Sequence, residues 1–144
     1  GDGKHRVTAI EETLRKTNLG DWIPGSMVNL ERCMQLNGRL DGHIVQGHAD
    51  CTGTCLSVDA REGSWEYTFS FLKAFASLVI EKGSITVNGI SLTIFNVETD
   101  RFTVAIIPYT YNHTNMSQVN PGQLVNLEFD VVGKYVQRML SLQS

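Results

Sequence analysis

KGSITVNGISLTIFNV, residues 82–97, alternates apolar and polar side chains on both sides of Asn88-Gly89. A period of two belongs to a strand with one buried face. Asn-Gly at the midpoint is the strongest short signal for a type I′ hairpin, whose two central residues both need positive φ. The stretch predicts an antiparallel hairpin. The same texture recurs outward from it at 27–33, 43–54, 64–71, 102–107 and 124–129, with Gly, Pro, Asn or Asp between the runs. About six short antiparallel strands in one unit predict an all-β fold, a small barrel that closes the sheet and removes its edges. Residues 73–78 read as a short helical turn. The tail, 133–142, reads as a helix, with Val132, Val136, Met139 and Leu140 at helical spacing. A lone amphipathic helix cannot bury its stripe by itself, so it folds back on the barrel or packs on partner subunits; the residues alone leave both open.

Residues 7–31, VTAIEETLRKTNLGDWIPGSMVNLE, lie without a gap over 104–128, VAIIPYTYNHTNMSQVNPGQLVNLE, at a constant offset of 97 residues. Eleven of the 25 positions are identical, including Thr13/Thr110, Thr17-Asn18/Thr114-Asn115, Pro24-Gly25/Pro121-Gly122 and the run Val28 to Glu31 over Val125 to Glu128. Chance at average residue usage gives roughly one or two. The two segments are copies. A unit of that period ending near Val131 begins near Asn37, and the first copy's own unit needs about 60 residues ahead of Gly1. The expected organisation is therefore the tail end of a truncated first barrel at 1–34, a complete second barrel at 35–131 and a C-terminal helix at 132–144. The leftover strand at 7–31 is expected to invite pairing with another chain.

Composition narrows the partners. With 144 residues, 42% hydrophobic and 19% charged, the chain reads as a globular protein with a real core. A formal net charge of −3 and no Lys/Arg run give no electrostatic footprint for nucleic acid or anionic lipid. No apolar stretch reaches membrane-spanning length and no basic-then-apolar leader opens the chain, which gives a cytoplasmic reading. Cys33, Cys51 and Cys55 are an odd set, read as free thiols of a reducing compartment.

GHIVQGHADCTGTC, residues 42–55, offers two histidines and two cysteines, and so poses a zinc question. The spacing answers against it: His-x4-His followed by Cys-x3-Cys is not the paired spacing of structural zinc sites, and on a strand residues 43 and 48 face opposite sides. No metal is expected. His48 stands out instead, because its small neighbours Gly47 and Ala49 let a flat ligand approach the backbone.

LDGHIVQGH at 40–48, EKGSITVNGISLT at 81–93, AIIPYT at 105–110 and TLRKTNLGDWIPGSMVNLER at 13–32 together resemble riboflavin synthase. The resemblance covers nearly the whole chain from Val7, and NGISLT with the internal duplication is specific. It implies a six-stranded antiparallel Greek-key barrel followed by a C-terminal trimerisation helix, and a site formed where the first barrel of one chain meets the second barrel of its neighbour. It also implies the chemistry: two molecules of 6,7-dimethyl-8-ribityllumazine dismutate by four-carbon transfer to riboflavin and a ribitylamino-pyrimidine, with no cofactor or metal. A non-catalytic lumazine or flavin carrier on the same barrel is the alternative.

Carried over residue by residue, the resemblance places the second barrel's lumazine pocket at Gly47, His48, Ala49, Lys82, Ser91, Leu92, Thr93, Ile106, Ile107, Pro108, Tyr109, Thr110 and Tyr111. Thr8, Ala9, Ile10, Glu11, Glu12 and Thr13 are the remnant of the equivalent site in the first barrel. Ser91, Thr93, His48 and Asp130 are the proton-transfer set. Ser91 and Thr93 are two apart and share one strand face, with Ile90, Leu92 and Ile94 on the other. Proline cannot continue a central ladder, so a strand ending at Pro108 exposes backbone groups able to pair with a uracil-like ring. Asp130 stands opposite Cys33 in the duplication, a place where the copies differ. Lacking a first half-site, the 144 residues alone are expected to bind weakly and turn over little or not at all.

Overall fold

The computed structural model describes residues 3–31, 37, 40 and 42–143. The alternation read at 82–97 becomes β3 (Ser84–Val87) and β4 (Ile90–Phe95), joined by Asn88 and Gly89 at φ 49° and 84°, both in the left-handed region the turn requires. Around this hairpin stand β1 (Cys51–Arg61), β2 (Ser64–Ser70), β5 (Arg101–Ile106) and β6 (Leu124–Phe129). All pair antiparallel in the closed order β1-β2-β5-β4-β3-β6, a Greek-key barrel in which β6 returns to β1 through Cys51↔Leu127 to Thr54↔Leu124. The core is the filled interior. Tyr67 and Phe69 of β2, Ile85 and Val87 of β3, Ile94 of β4, Phe102, Val104 and Ile106 of β5, and Val125, Leu127 and Phe129 of β6 are all buried there. Burying each such side chain contributes about 1.5–3 kcal/mol, and offset aromatic pairs such as Phe69–Phe102, with ring centroids 5.8 Å apart, add to it. Cys51 and Cys55 belong to this core.

Departures from the sequence reading have local causes. The strand expected over 43–54 begins at Cys51, because the backbone N–H groups of 43, 46, 48 and 50 go to side chains or to a neighbouring carbonyl outside any ladder. Of the strand expected at 27–33, residues 27–31 form none; the rest, Cys33 included, lies outside the described residues. After β5 the chain does not remain extended at Pro108 but coils into α2 (Pro108–His113), with the proline at the first helical position, where its fixed φ suits the turn and its missing N–H is not needed. Residues 73–78 form a 3₁₀ turn, and the tail is α3 (Val131–Ser141), capped by Asp130.

The duplication is visible in three dimensions. α1 (Glu11–Lys16) and the 3₁₀ turn Asn18–Asp21 repeat as α2 and the 3₁₀ turn Asn115–Gln118 at the same offset of 97. Thr17 Oγ1 donates to the Thr13 carbonyl at 2.6 Å, and Thr114 Oγ1 to the Thr110 carbonyl at 2.7 Å. The copies also clasp each other reciprocally. Asn18 N–H donates to Asn126 Oδ1, and Asn115 N–H to Asn29 Oδ1, both at 2.8 Å. Asn18 Nδ2 donates to the Leu124 carbonyl at 2.9 Å, and Asn115 Nδ2 to the Met27 carbonyl at 3.4 Å. Each bond has its symmetry mate. The first-copy segment is thus not the unpaired strand expected from sequence, but a helical and extended arm held on the barrel by asparagine side chains.

Candidate functional site

The outer face of β6, β3 and β4 carries polar side chains in rows set by the register. Glu128↔Thr86 and Thr86↔Ser91 form one row, and Ser84↔Thr93 lies in the next. Ser91 and Thr93 share this face, as the alternation requires, while Ile94 is buried inside. A strap, residues 42–50, crosses the rows. The His43 N–H donates to Ser91 Oγ at 3.3 Å; its Nδ1 lies 2.7 Å from Ser91 Oγ and its Nε2 3.2 Å from Thr86 Oγ1. The N–H groups of Gln46 and His48 donate to the two Glu128 carboxylate oxygens at 2.7 and 2.9 Å. Asp50 Oδ2 accepts the Phe129 N–H at 2.9 Å and pairs with Lys134 Nζ at 2.7 Å. Under the strap Thr86 and Glu128 are buried, polar and fully bonded. Sequence reading named neither His43 nor Glu128 as a site residue. The available signals were the place of His43 in LDGHIVQGH and the repetition of Glu128 as Glu31.

The strap and hairpin bring His48, Ser91 and Thr93 to one outer face, with the His48 and Thr93 side chains exposed. Asp130 follows directly on the same strand as Glu128, and its Oδ1 caps α3 by accepting the Val132 N–H at 2.9 Å. Lys82 has a left-handed backbone, φ 62°, unusual for a residue with a long side chain; its N–H donates to the Ile94 carbonyl at 3.0 Å. The segment after β5 is mixed. The Ile106 side chain is wholly inside the core, so it offers a ligand nothing but backbone. Ile107 and Tyr109 are exposed, but the Ile107 carbonyl accepts the Tyr111 N–H within α2. Tyr111 stacks on Trp65 with ring centroids 3.7 Å apart. In the first copy, residues 8 and 9 and Ile10 to Glu12 lie on an open surface or nearly so, with Glu12 paired to Lys16 at 3.0 Å. Thr13 lines a cleft of about 290 Å³ together with Gly47, Ala49, Thr86, Asn29 and Glu128.

At Pro108 the chain turns into α2 instead of ending bluntly, and the Ile107 carbonyl is taken by the Tyr111 N–H. The β4–β5 ladder holds at Ile94↔Val104 and Phe95↔Thr103. Beyond it, Ile90 to Thr93 pair with β3, and Ala105 and Ile106 with β2. β4 and β5 stop pairing beyond those two positions, so the peptide groups of 91–93 and 105–107 are not spent on each other.

Cys51 and Cys55 do no chemistry at this face. They sit in the barrel interior, where burial pushes the thiols of Cys51 and Cys55 up to about 11, far from the thiolate form that binds metals or attacks electrophiles. Among the described residues no group of three His, Cys, Asp or Glu is arranged to hold a metal ion. No described helix is long and apolar enough to cross a membrane.

Residues 46–130 match the family described as lumazine binding domain. The chain is 44% identical over 131 residues to the riboflavin synthase of Actinobacillus pleuropneumoniae, covering 91% of this chain and 61% of that protein. It is 46% identical over 143 residues to that of Mycobacterium tuberculosis H37Rv, covering 96% and 71%. With the Bacillus subtilis enzyme the figures are 40% over 134 residues, 93% and 62%. The chain spans about two thirds of the length of these curated relatives. Among solved structures, LumP complexed with 6,7-dimethyl-8-(1′-D-ribityl)lumazine superposes with a TM-score of 0.73 at 19% identity, covering 85% of this chain and 69% of that one. LumP complexed with riboflavin gives 0.76 at 20%, covering 83% and 65%. At such identities this is a likeness of fold. The domain match across more than half of the sequence, and the identities above 40%, place the chain in the riboflavin synthase family, as a member carrying its lumazine-binding domain.

Proposed function

We propose that the chain serves riboflavin synthesis, its barrel supplying one of the two half-sites in which two molecules of 6,7-dimethyl-8-ribityllumazine dismutate. One molecule gives up a four-carbon unit and leaves as 5-amino-6-ribitylamino-pyrimidinedione; the other takes it up and becomes riboflavin. No external oxidant is needed, because the atoms leaving the donor are those the acceptor gains. The observation that carries this reading is the Ser91/Thr93 hydroxyl pair where β4 and β5 no longer pair, in a chain 46% identical to a riboflavin synthase.

The ring edge is read by backbone groups at 91–93 and 105–107, while Gly47, His48, Ala49 and Lys82 approach its face. The electron-poor ring acidifies its own 7-methyl group, so the protein has little bond chemistry to supply. Holding two rings in register is worth roughly 7–11 kcal/mol, against about 3–5.5 kcal/mol for a single general acid or base. His48, Ser91, Thr93 and Asp130 move protons or stabilise a nucleophile added at the ring. Residues 1–34 are the tail end of a first lumazine-binding unit and 35–131 the second. Assembly is through α3, on which Val132, Tyr135, Val136 and Met139 form an exposed apolar stripe at i, i+3, i+4 and i+7 while Gln137 bonds Ser77 on the opposite side; a trimer is the state this reading assigns.

Fluorescence titration of the 144-residue chain with riboflavin and with the lumazine, alongside a turnover assay, tests the reading. Binding of both with little or no turnover is expected. Failure to bind either compound sinks the lumazine reading, and full enzyme-like turnover sinks the half-site. A carrier function is favoured by the fold shared with LumP; binding without product formation from a chain that includes both barrels would establish it.

A further inference from the structure

The wall beneath the strap holds a carboxylate that the chemistry above does not use. Glu128 is 5% exposed, and among the described residues no lysine or arginine pairs with it. Both its oxygens are taken by backbone: Gln46 N–H at 2.7 Å and His48 N–H at 2.9 Å. N–H groups two residues apart converge on a point when the residue between them is left-handed, and Gly47 at φ 77° makes those of Gln46 and His48 do so. Such a nest ordinarily collects an anion from solution; here the chain fills it with its own side chain.

The occupant has to be a carboxylate. It accepts at both oxygens and carries no proton to set against either N–H, whereas a glutamine accepts at one atom and turns its amide hydrogens on the other donor. The His48 ring receives no hydrogen bond from any described residue, so its stance over the outer face depends on where its backbone is held. The duplication agrees: Glu31 occupies the same place in the first copy, although the next residues, Arg32-Cys33 against Phe129-Asp130, have diverged.

We propose that Glu128 is a positioning residue of the lumazine site: by clamping the nest around Gly47 it sets the height and angle at which His48 meets the bound ring. This rests on the lumazine reading above, and the test separates the two. Riboflavin affinity is measured by fluorescence quenching for the 144-residue chain, for Glu128→Gln, for His48→Ala and for the double variant, with near-ultraviolet circular dichroism to confirm that each is folded. Glu128→Gln is expected to weaken binding about tenfold in the parent and less than about twofold when His48 is already alanine, since residues acting as a unit are not additive. Should Glu128→Gln not fold, Glu128→Asp, which keeps both acceptors on a shorter arm, enters the same cycle with the same expected non-additivity. Equal losses in both backgrounds, or no loss in either, overturn the clamp while leaving the lumazine reading intact. Absence of riboflavin binding by the parent chain overturns both.

Discussion

Tyr67 places a hydroxyl in the middle of an apolar interior and donates it to the Met116 carbonyl at 2.8 Å. Burial pushes the phenol up to about 12, with Tyr111 and Cys55 adding to the shift. A folded-state value above the ordinary 10 means that this residue's contribution is complete below pH 10 and is lost as the pH rises through 12. Urea unfolding of Tyr67→Phe should show a loss of about 1–2 kcal/mol at pH 7, since the carbonyl stays buried without its donor. The variant should also lose less stability than the parent between pH 10 and 12. The raised thiols give a second expectation: in a Cys33→Ser background at pH 8, Cys51 and Cys55 should react with a thiol-specific disulfide reagent at a negligible rate until the protein is unfolded. At this scale the outward pair Ser91 and Thr93 could be read directly, because alternation is a property of four or five consecutive residues. His43 and Glu128 could not, because their partners lie 48 and 80 or more residues away along the chain.

Helices and strands follow the same division. The Asn88-Gly89 hairpin and α3 are specified locally, by turn chemistry and by a helical stripe, and both were legible. The strap was not: its residues run straight into those of β1, yet its N–H groups at His43, Gln46 and His48 are captured by Ser91 and Glu128 before a ladder can form. Pro108 carried a true signal with the wrong consequence, since a residue that ends a strand also opens a helix well. The arm bearing α1 depends on a clasp of short amide side chains. Asn18→Ala removes its bonds to Asn126 and Leu124, and should raise hydrogen-exchange rates across residues 11–29 by about 10- to 100-fold while leaving β1–β6 protected.

For the molecule as a whole, closure of the sheet could be anticipated from the count of strands and the hairpin between two of them, and the recurrence of α1 and its 3₁₀ turn as α2 and its turn from the offset of 97. The reciprocal fit of the two copies could not, because it depends on which surface of the barrel the arm covers. The apolar stripe of α3 belongs to this scale. Under the proposed assembly, Val136→Glu together with Met139→Glu should shift the scattering mass from trimer to monomer without lowering the melting temperature by more than a few degrees, because both side chains already face outward.

The barrel encloses no binding chamber, since its inside is packed solid with aromatic and branched side chains. Whatever it recognises must therefore be recognised by its skin. Fold maintenance and ligand choice are then written on opposite sides of the same strands, residue by alternate residue. A library diversified at Ser84 and Thr93, with Ser91 kept because its hydroxyl holds the strap at His43, should yield proteins that melt alike but prefer different heterocycles, a freedom denied to scaffolds whose ligands sit within the hydrophobic centre.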